Sequence, residues 1–188
     1  MLNNDIEVEP HCIEQLTAFI RKNDEYDCIA VKMLNFNQRE FLDGAGDAVL
    51  RGGAGYRLGT MERDNDFYST SREIFGACAG AAVYSQKYFE INGYFDNDFF
   101  AYLEDVDLSM RARRRGLRSY YLAEAVVYHI GSATTGSKIN PFTIRQSTKN
   151  SIHVLTKNYP SSLLIRFLPV ILIYQCIWFV FAVKKCKV

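Results

Sequence analysis

The sequence predicts an α/β protein, because segments with strand character alternate with segments that have helical spacing. Cys28 to Leu34 is a short apolar run with β-branched residues, which is typical of a buried strand. Apolar residues recur at helical spacing over residues 11–23, directly after Pro10, and predict a helix there. A second helix is predicted over residues 143–158, because Pro160 cannot continue it.

Shorter patterns predict the remaining elements. We expect a strand end and a turn in Leu2 to Val8, an extended segment in Tyr68 to Phe75, a helix in Ser85 to Asn92 closed by Gly93, and two short strands in Ser119 to Leu122 and Ala125 to His129. Residues 43–59 are rich in glycine, but the spacing fits neither a dinucleotide-binding turn nor a P-loop. This segment is therefore predicted to be a mobile surface loop.

Composition excludes several classes of protein. The hydrophobic share of 48% and the aromatic share of 14% argue against a disordered chain. The net charge of +1 gives no reason to expect nucleic acid as a partner. The five cysteines are odd in number and have no CxxC or zinc-like spacing, so free thiols in a reducing compartment are expected.

The C-terminal segment is apolar from Leu163 to Val183, interrupted by Arg166 and Pro169 and followed by lysines. Its uncharged part is at the short edge of the roughly 17–25 residues that cross a bilayer. Three structures fit this pattern: a spanning helix with a cytoplasmic C-terminus, an interfacial helix with Tyr174 and Trp178 near the headgroups, and a buried core helix. We expect contact with a membrane, because little sequence follows that could cover the segment.

Residues 99–116 have an uneven distribution of charge. Glu104, Asp105 and Asp107 follow an aromatic run, and a basic segment then leads to Gly116. Acids at the start and bases at the end complement a helix macrodipole, so a capped surface helix explains the pattern by itself. The alternative is a helix N-terminus that presents a catalytic carboxylate to a cleft.

Three other positions have side chains that could carry chemistry. Asp5 follows an apolar residue and two asparagines, where it is either a ligand-site carboxylate at the end of a strand or an Asx-turn residue. His129 ends the second of the two short strands, where a lone histidine is more often a structural residue than a ligand. The small residues at Gly76, Ala77 and Cys78 allow backbone or ligand to approach closely.

Taken in order, these motifs resemble those of family 2 glycosyltransferases. They are Leu2-Asn3-Asn4-Asp5, Gly76-Ala77-Cys78, Gly93-Tyr94-Phe95-Asp96, the Phe100 to Leu108 block with Glu104-Asp105-Val106-Asp107, and His129. The nearest subgroup is the rhamnosyltransferase-like enzymes of bacterial cell-surface polysaccharide synthesis. The resemblance covers residues 1–160 and implies a partial GT-A fold that begins at the DXD-equivalent motif and lacks the N-terminal nucleotide-binding strands. Residues 161–188 would then be a hydrophobic membrane-associating helix with a basic end.

The resemblance also implies roles for individual residues. Asp105 matches the catalytic base, and Asp107 is expected to be structural. Asp5 and His129 match ligands of a divalent metal, Mg²⁺ or Mn²⁺, with Asn3 and Asn4 in place of the motif's earlier acids. Residues implied to bind substrate are Glu104, Gly76, Ala77, Cys78, Arg145 and Lys149, although the last two could equally belong to a solvated helix face.

The function implied is transfer of a sugar, with inversion, from a nucleotide-sugar donor to a lipid-linked or polysaccharide acceptor. The reaction would take place at the cytoplasmic face of the cell membrane. An alternative is a truncated, non-catalytic remnant, or an acceptor-binding half that needs a separate N-terminal nucleotide-binding half. A membrane-anchored structural protein is a third possibility, and it requires Asp5, Asp105 and His129 to lie far apart.

Overall fold

The computed structural model describes residues 1–131 and 140–186. Its elements in chain order are β1 (Ile6–Val8), α1 (Cys12–Ile20), β2 (Cys28–Asn35), β3 (Leu42–Gly44), β4 (Asp47–Val49), β5 (Gly55–Arg57), β6 (Arg72–Ile74), β7 (Ala82–Tyr84), α2 (Gln86–Asn92), α3 (Glu104–Arg114), β8 (Ser119–His129), α4 (Pro141–Asn158) and α5 (Ser161–Cys186). The predicted α/β class is confirmed at this level.

A mixed six-stranded sheet is organised around two parallel strands, β2 and β8. The other four strands pair antiparallel with them. β6 and β1 pair with the first and last parts of β8, while β7 and β3 pair with the first and last parts of β2. β4 and β5 form a separate antiparallel pair.

β8 is one strand where the sequence predicts two. Its pairing with β2 jumps from Leu122 opposite Val31 to Val126 opposite Lys32. The intervening residues 123–125 form an irregularity of the bulge type, which breaks the alternation of side chains without ending the strand. The two predicted strands are therefore the two halves of β8.

Both faces of the sheet are covered by helices. On one face, Leu108 and Ala112 of α3 and Tyr88 of α2 pack in a cluster with Tyr121 of β8. On the other face, Cys12 and Leu16 of α1 pack against apolar residues of β2 and β8. This arrangement fixes α3 beside the ends of the central strands.

The prediction of a mobile loop at residues 43–59 is wrong. Strands β3, β4 and β5 lie within or at the edge of this segment, and residues 42–47 are buried. Glycine is needed here for packing, because a Cβ on Gly44 would lie 2.1 Å from Cδ of Arg57. The segment is thus part of the folded body, and the Arg57 side chain crosses it.

Two predicted helices are confirmed, and α4 begins two residues earlier than predicted. α2 begins after Ser85, whose hydroxyl accepts a hydrogen bond from the Tyr88 N–H, and ends at Gly93 with φ of 75°. α4 begins after Asn140, which forms a capping box with Thr143.

α5 continues from α4 after a short break and is apolar. Residues Ser161–Lys185 are long and apolar enough to cross a membrane, and little of that stretch is buried against the rest of the protein. A buried core helix, one of the three alternatives for this segment, does not agree with that exposure.

Candidate functional site

A cleft of about 660 Å³ opens where the turn before β1, the end of β8, the β4–β5 pair and the start of α3 meet. The lining includes the carboxyl, guanidinium, thiol and imidazole side chains of Asp5, Asp47, Arg57, Cys78, Glu104, Asp105 and His129. We describe it as two walls. The His129 wall consists of Asp5, Asp43 and His129, and the Asp105 wall of Asp47, Cys78, Glu104 and Asp105.

Strand pairing brings Asp5 and His129 together. The antiparallel register of β1 and β8 sets Ile6 opposite His129, so the residue before β1 lies beside the end of β8. The Ile130 N–H donates to the Asp5 carbonyl at 3.0 Å and fixes this junction. As a result, Asp5 Oδ2 lies 3.3 Å from His129 Nε2.

Asp43 orients the His129 ring from behind. Its Oδ2 lies 2.7 Å from His129 Nδ1, and its side chain is almost fully buried. A buried carboxylate there favours the tautomer in which Nδ1 carries the proton and donates it. In a neutral imidazole, Nε2 then has its lone pair directed toward Asp5 and the cleft.

The Asp105 wall begins with an unusual backbone turn. Phe100, Tyr102 and Leu103 all have positive φ angles, between 60° and 68°, which residues other than glycine seldom adopt. The Asn150 side chain of α4 compensates, because its amide nitrogen lies 2.6–2.9 Å from the carbonyl oxygens of Phe99, Ala101 and Tyr102 and its two N–H groups are shared among them. Such strain persists only where the surroundings hold it, and it is frequent at functional sites.

This turn leads directly into α3 and so determines the position of Asp105. Oδ2 of Asp105 accepts from the Ala79 N–H at 3.3 Å, and Oδ1 accepts from the Val106 N–H at 2.9 Å. Asp107 points away from the cleft, where it is buried and binds Arg111 and Asn158. The structural role predicted for Asp107 agrees with these contacts.

Arg57 connects the two walls. Across the β4–β5 pair it lies opposite Asp47, and its Nε is 3.9 Å from Asp47 Oδ1. Its guanidinium also donates to Asp43 Oδ2 and to Cys78 Sγ, both at 2.7 Å. One cation therefore faces the carboxylates of Asp43 and Asp47 and a thiol.

The Asp105 wall contains more acid than its partners neutralise. Burial, and then the charge of Asp105, raise the pKa of Asp47 well above its usual value. The same two causes raise the pKa of Glu104 to about 7. One oxygen of each, Asp47 Oδ2 and Glu104 Oε2, is buried without a hydrogen-bond partner in the part of the chain that the structure describes. Burial also raises the pKa of Cys78, which favours the neutral thiol.

Two groups of side chains could hold a cation. Asp5 and His129 offer an oxygen and a nitrogen, a combination that suits Mn²⁺ better than Mg²⁺. Asp47, Cys78 and Asp105 offer three ligand atoms within 4.8 Å of one another. The second group competes with Arg57 for the same atoms, and its thiol would have to lose a proton.

The other residues predicted to bind substrate are divided by the structure. Cys78 lines the cleft. Ala77 is fully buried in the core, and a Cβ on Gly76 would lie 2.0 Å from Oγ of Ser109, so both residues make room for α3. Arg145 and Lys149 are exposed on α4 outside the lining of the cleft.

Sequence reasoning missed Asp43, Asp47 and Arg57. All three lie in or beside the glycine-rich segment that was expected to be a mobile loop. The sequence does contain a pattern that could have drawn attention to the two aspartates, because Asp43 directly precedes Gly44 and Asp47 directly follows Gly46. Charged residues between glycines are also common in solvated loops, so the pattern alone does not reveal burial.

A comparison of the sequence with models of known protein families gave no match, and a comparison with curated proteins gave none either. Functional inference therefore depends on the geometry and chemistry of this cleft.

Proposed function

We propose that this chain is the metal- and acceptor-binding part of an inverting glycosyltransferase with a partial GT-A fold. It would transfer a sugar from a nucleotide-sugar donor to a lipid-linked or polysaccharide acceptor at the cytoplasmic face of a membrane. One observation carries the proposal: Asp5, Asp105 and His129 line the same cleft, although they are far apart in the sequence. A purely structural protein has no need for this convergence.

The His129 wall fits a divalent metal ion. Two ligand atoms next to each other on an octahedral ion, each about 2.1 Å from it, are about 3.0 Å apart. Asp5 Oδ2 and His129 Nε2 are 3.3 Å apart and need little movement to match this spacing. The Asp43 carboxylate behind the histidine is the outer partner that metal-binding histidines usually have. When bound, Mg²⁺ or Mn²⁺ would neutralise the charge that develops on the departing diphosphate.

Asp105 has the position expected of a general base. The acceptor hydroxyl must lose a proton as it attacks the anomeric carbon, so a carboxylate must be within hydrogen-bond reach of it. Asp105 is only partly buried and faces the cleft from a helix start held by Asn150. Burial favours the protonated form of Asp47, the carboxyl group next to Asp105 on this wall. Attack on the face opposite the leaving group inverts the anomeric centre.

A second candidate is an acceptor-binding half that works only with a separate nucleotide-binding half. The sheet edge at β7 favours it. Within the described residues, β7 pairs with β2 on one side, and on the other side only its first residue and Ala81 meet residues 1–2. An apolar pocket of about 260 Å³, lined by Leu16, Val83 and their neighbours, lies beside this open edge. Such an edge can accept a further strand from a partner.

Calorimetry on the full chain tests both candidates. Mn²⁺ is titrated first alone and then with a panel of nucleoside diphosphates, and sugar transfer to lipid-linked acceptors is assayed in parallel. Binding of Mn²⁺ that is strengthened by one nucleoside diphosphate, together with transfer, supports the enzyme. Binding of Mn²⁺ without any response to nucleotide favours the acceptor-binding half. Absence of Mn²⁺ binding by the wild type contradicts the metal role of Asp5 and His129.

A further inference from the structure

The last two helices form an antiparallel hairpin with a regular register. Gln175 of α5 donates to the Ser151 hydroxyl of α4 at 3.4 Å, and the Trp178 indole N–H donates to the Thr148 hydroxyl at 2.5 Å. Three residues forward along α5 thus correspond to three residues backward along α4. Continuing this register sets the lysine end of α5 opposite the start of α4.

α5 contacts the rest of the protein along one narrow stripe. Ile171 is buried, and Tyr174, Gln175 and Trp178 are half-buried on the same side. The remaining circumference is apolar and open, as the 74% exposure of Ile165 illustrates. A continuous exposed apolar surface of this length is typical of a site that binds a membrane or another protein.

Charge indicates what kind of surface covers it. Residues 125–188 contain no Asp or Glu, so all acidic residues of the chain precede the hairpin. Basic residues lie at both ends of α5, with Arg166 near its start and Lys184 and Lys185 near its end. An apolar helix with cationic ends and no acids complements the interface of an anionic bilayer.

The contacts of α4 argue against a crossing orientation. α4 carries Arg145, Lys149 and Lys157, and Lys157 binds the carboxylates of Asp96 and Asp98 in the folded body. If α5 crossed the bilayer with the hairpin intact, α4 would have to enter the hydrocarbon with its charges. If α5 crossed alone, it would lose its hydrogen bonds to Ser151 and Thr148.

We propose that the hairpin lies sideways on an anionic membrane, with α5 embedded along the interface as a monotopic anchor. The inference deepens the membrane location given under the proposed function and depends on it. It accounts for the open apolar face, the basic ends and the intact hairpin together. It also sets the mouth of the cleft near the bilayer, because Tyr102 packs against Phe142 at the start of α4, next to the lysine end of α5. A lipid-linked acceptor could then reach Asp105 from the membrane plane.

Depth measurements on the full chain test the orientation. Spin labels are attached at Leu163→Cys, Ile173→Cys and Val183→Cys, one at a time, in a protein in which Cys176 and Cys186 are replaced by serine. The protein is added to the outside of vesicles of phosphatidylglycerol and phosphatidylcholine. A sideways helix gives similar depths for the three labels, and all three react with an impermeant reductant added outside. A spanning helix puts Ile173 about 15 Å deeper than the ends and protects one end inside the vesicle, which would overturn the proposal.

A cross-link tests whether the hairpin stays closed on the membrane. Ser151→Cys with Gln175→Cys, in the same cysteine background, is joined by a short bifunctional thiol reagent. The proposal expects vesicle binding within about twofold of the unlinked protein, whereas loss of binding would show that α5 must separate from α4.

Neutral substitutions test how much the lysines at the C-terminal end of α5 contribute to membrane binding. Replacing Lys184 and Lys185 by glutamine should weaken binding to anionic vesicles about 25-fold, since each lysine near such a surface contributes about fivefold. The matched control, Arg21→Gln with Lys22→Gln at the far side of the body, should leave binding unchanged. If no vesicle binding occurs even for the wild type, both the sideways anchor and the membrane location are wrong. Mn²⁺ and nucleotide binding would still test the glycosyltransferase itself.

Discussion

The two walls of the cleft both carry carboxylates, but they balance the charges differently. On the His129 wall, Asp5 and Asp43 each face a ring nitrogen of His129, and Asp43 also accepts from Arg57. On the Asp105 wall, Asp47 and Glu104 each have a buried oxygen without a hydrogen-bond partner among the described residues. On the first wall each carboxylate faces a nitrogen, whereas the second wall holds more acid than its partners neutralise.

This difference indicates two kinds of chemistry. A carboxylate and an oriented imidazole form a fixed set of ligand atoms, which suits a cation. Acidic groups that are crowded and partly buried hold protons near neutral pH, which suits proton transfer. The proposed division of labour between metal binding and base catalysis follows from this contrast, and the variants below test each wall separately.

The largest effect is expected at Asp105. Asp105→Asn keeps the shape of the side chain but cannot accept a proton, so sugar transfer should fall by roughly 100-fold to 10,000-fold. Mn²⁺ affinity should stay the same, because the His129 wall is untouched. The control is Asp98→Asn, an exposed aspartate outside the cleft, in a transfer assay with the same donor and acceptor. Equal activity of Asp105→Asn and wild type would remove Asp105 from the role of base.

Arg57→Met should cause the greatest loss of stability. The guanidinium contacts Asp43, Asp47 and Cys78, so the substitution removes the cation that faces the buried Asp43 carboxylate. Breaking one side of such a pair costs about 3–5 kcal/mol of unfolding free energy. The control is Arg113→Met, whose exposed pair with Glu73 is worth about 0–1 kcal/mol. Urea denaturation compares the two, and similar losses would mean that Arg57 does not neutralise the walls.

A smaller effect, limited to metal binding, is expected at Asp43. Asp43→Asn removes the charge that holds the His129 ring, and loss of such an outer partner weakens metal affinity about 10-fold to 100-fold. Asp47→Asn, which alters the other wall, should change Mn²⁺ affinity by less than about threefold. Calorimetry with Mn²⁺ measures both variants. If Asp47→Asn has the larger effect, the metal is held by the group of Asp47, Cys78 and Asp105 instead.

Local patterns predicted the elements whose signals are local. α2 was bounded by Ser85 and Gly93, and both cap it in the structure. The sequence predicts two strands in place of β8, because the irregularity at residues 123–125 interrupts the alternation of side chains as a turn would. The segment from 43 to 59 was misjudged for a different reason: glycine permits both mobile loops and close packing, and only the tertiary structure shows that Arg57 occupies the space above Gly44.

The same distinction applies to the site. Asp5, Asp105 and His129 could be selected from their order in the chain, although their catalytic and metal roles remain predictions. Asp43, Asp47 and Arg57 could not, because their importance comes from burial and from the cross-strand pairing of β4 with β5. Gly76 shows the converse, since the sequence gives no sign that the space beside it is filled by the Ser109 side chain of α3.

The smallest expected effect concerns Glu104 and depends on pH. Its pKa is about 7 in the folded protein, raised by burial and by Asp105 from an ordinary value of 4.5. An acid with a raised folded-state pKa costs little stability below about pH 4.5, destabilises the fold increasingly as the pH rises from 4.5 to about 7, and costs a constant amount above that. Glu104→Gln removes this cost, so it should stabilise the protein at pH 8 by on the order of 1–2 kcal/mol and leave stability at pH 4 unchanged.

Urea denaturation at several pH values measures this difference, with the exposed Glu40→Gln as the matched control that should show none. If Glu104→Gln is no more stable than wild type at pH 8, the Asp105 wall does not hold excess acid. Its carboxyl groups would then be balanced by their partners, and proton transfer could not be assigned to this wall.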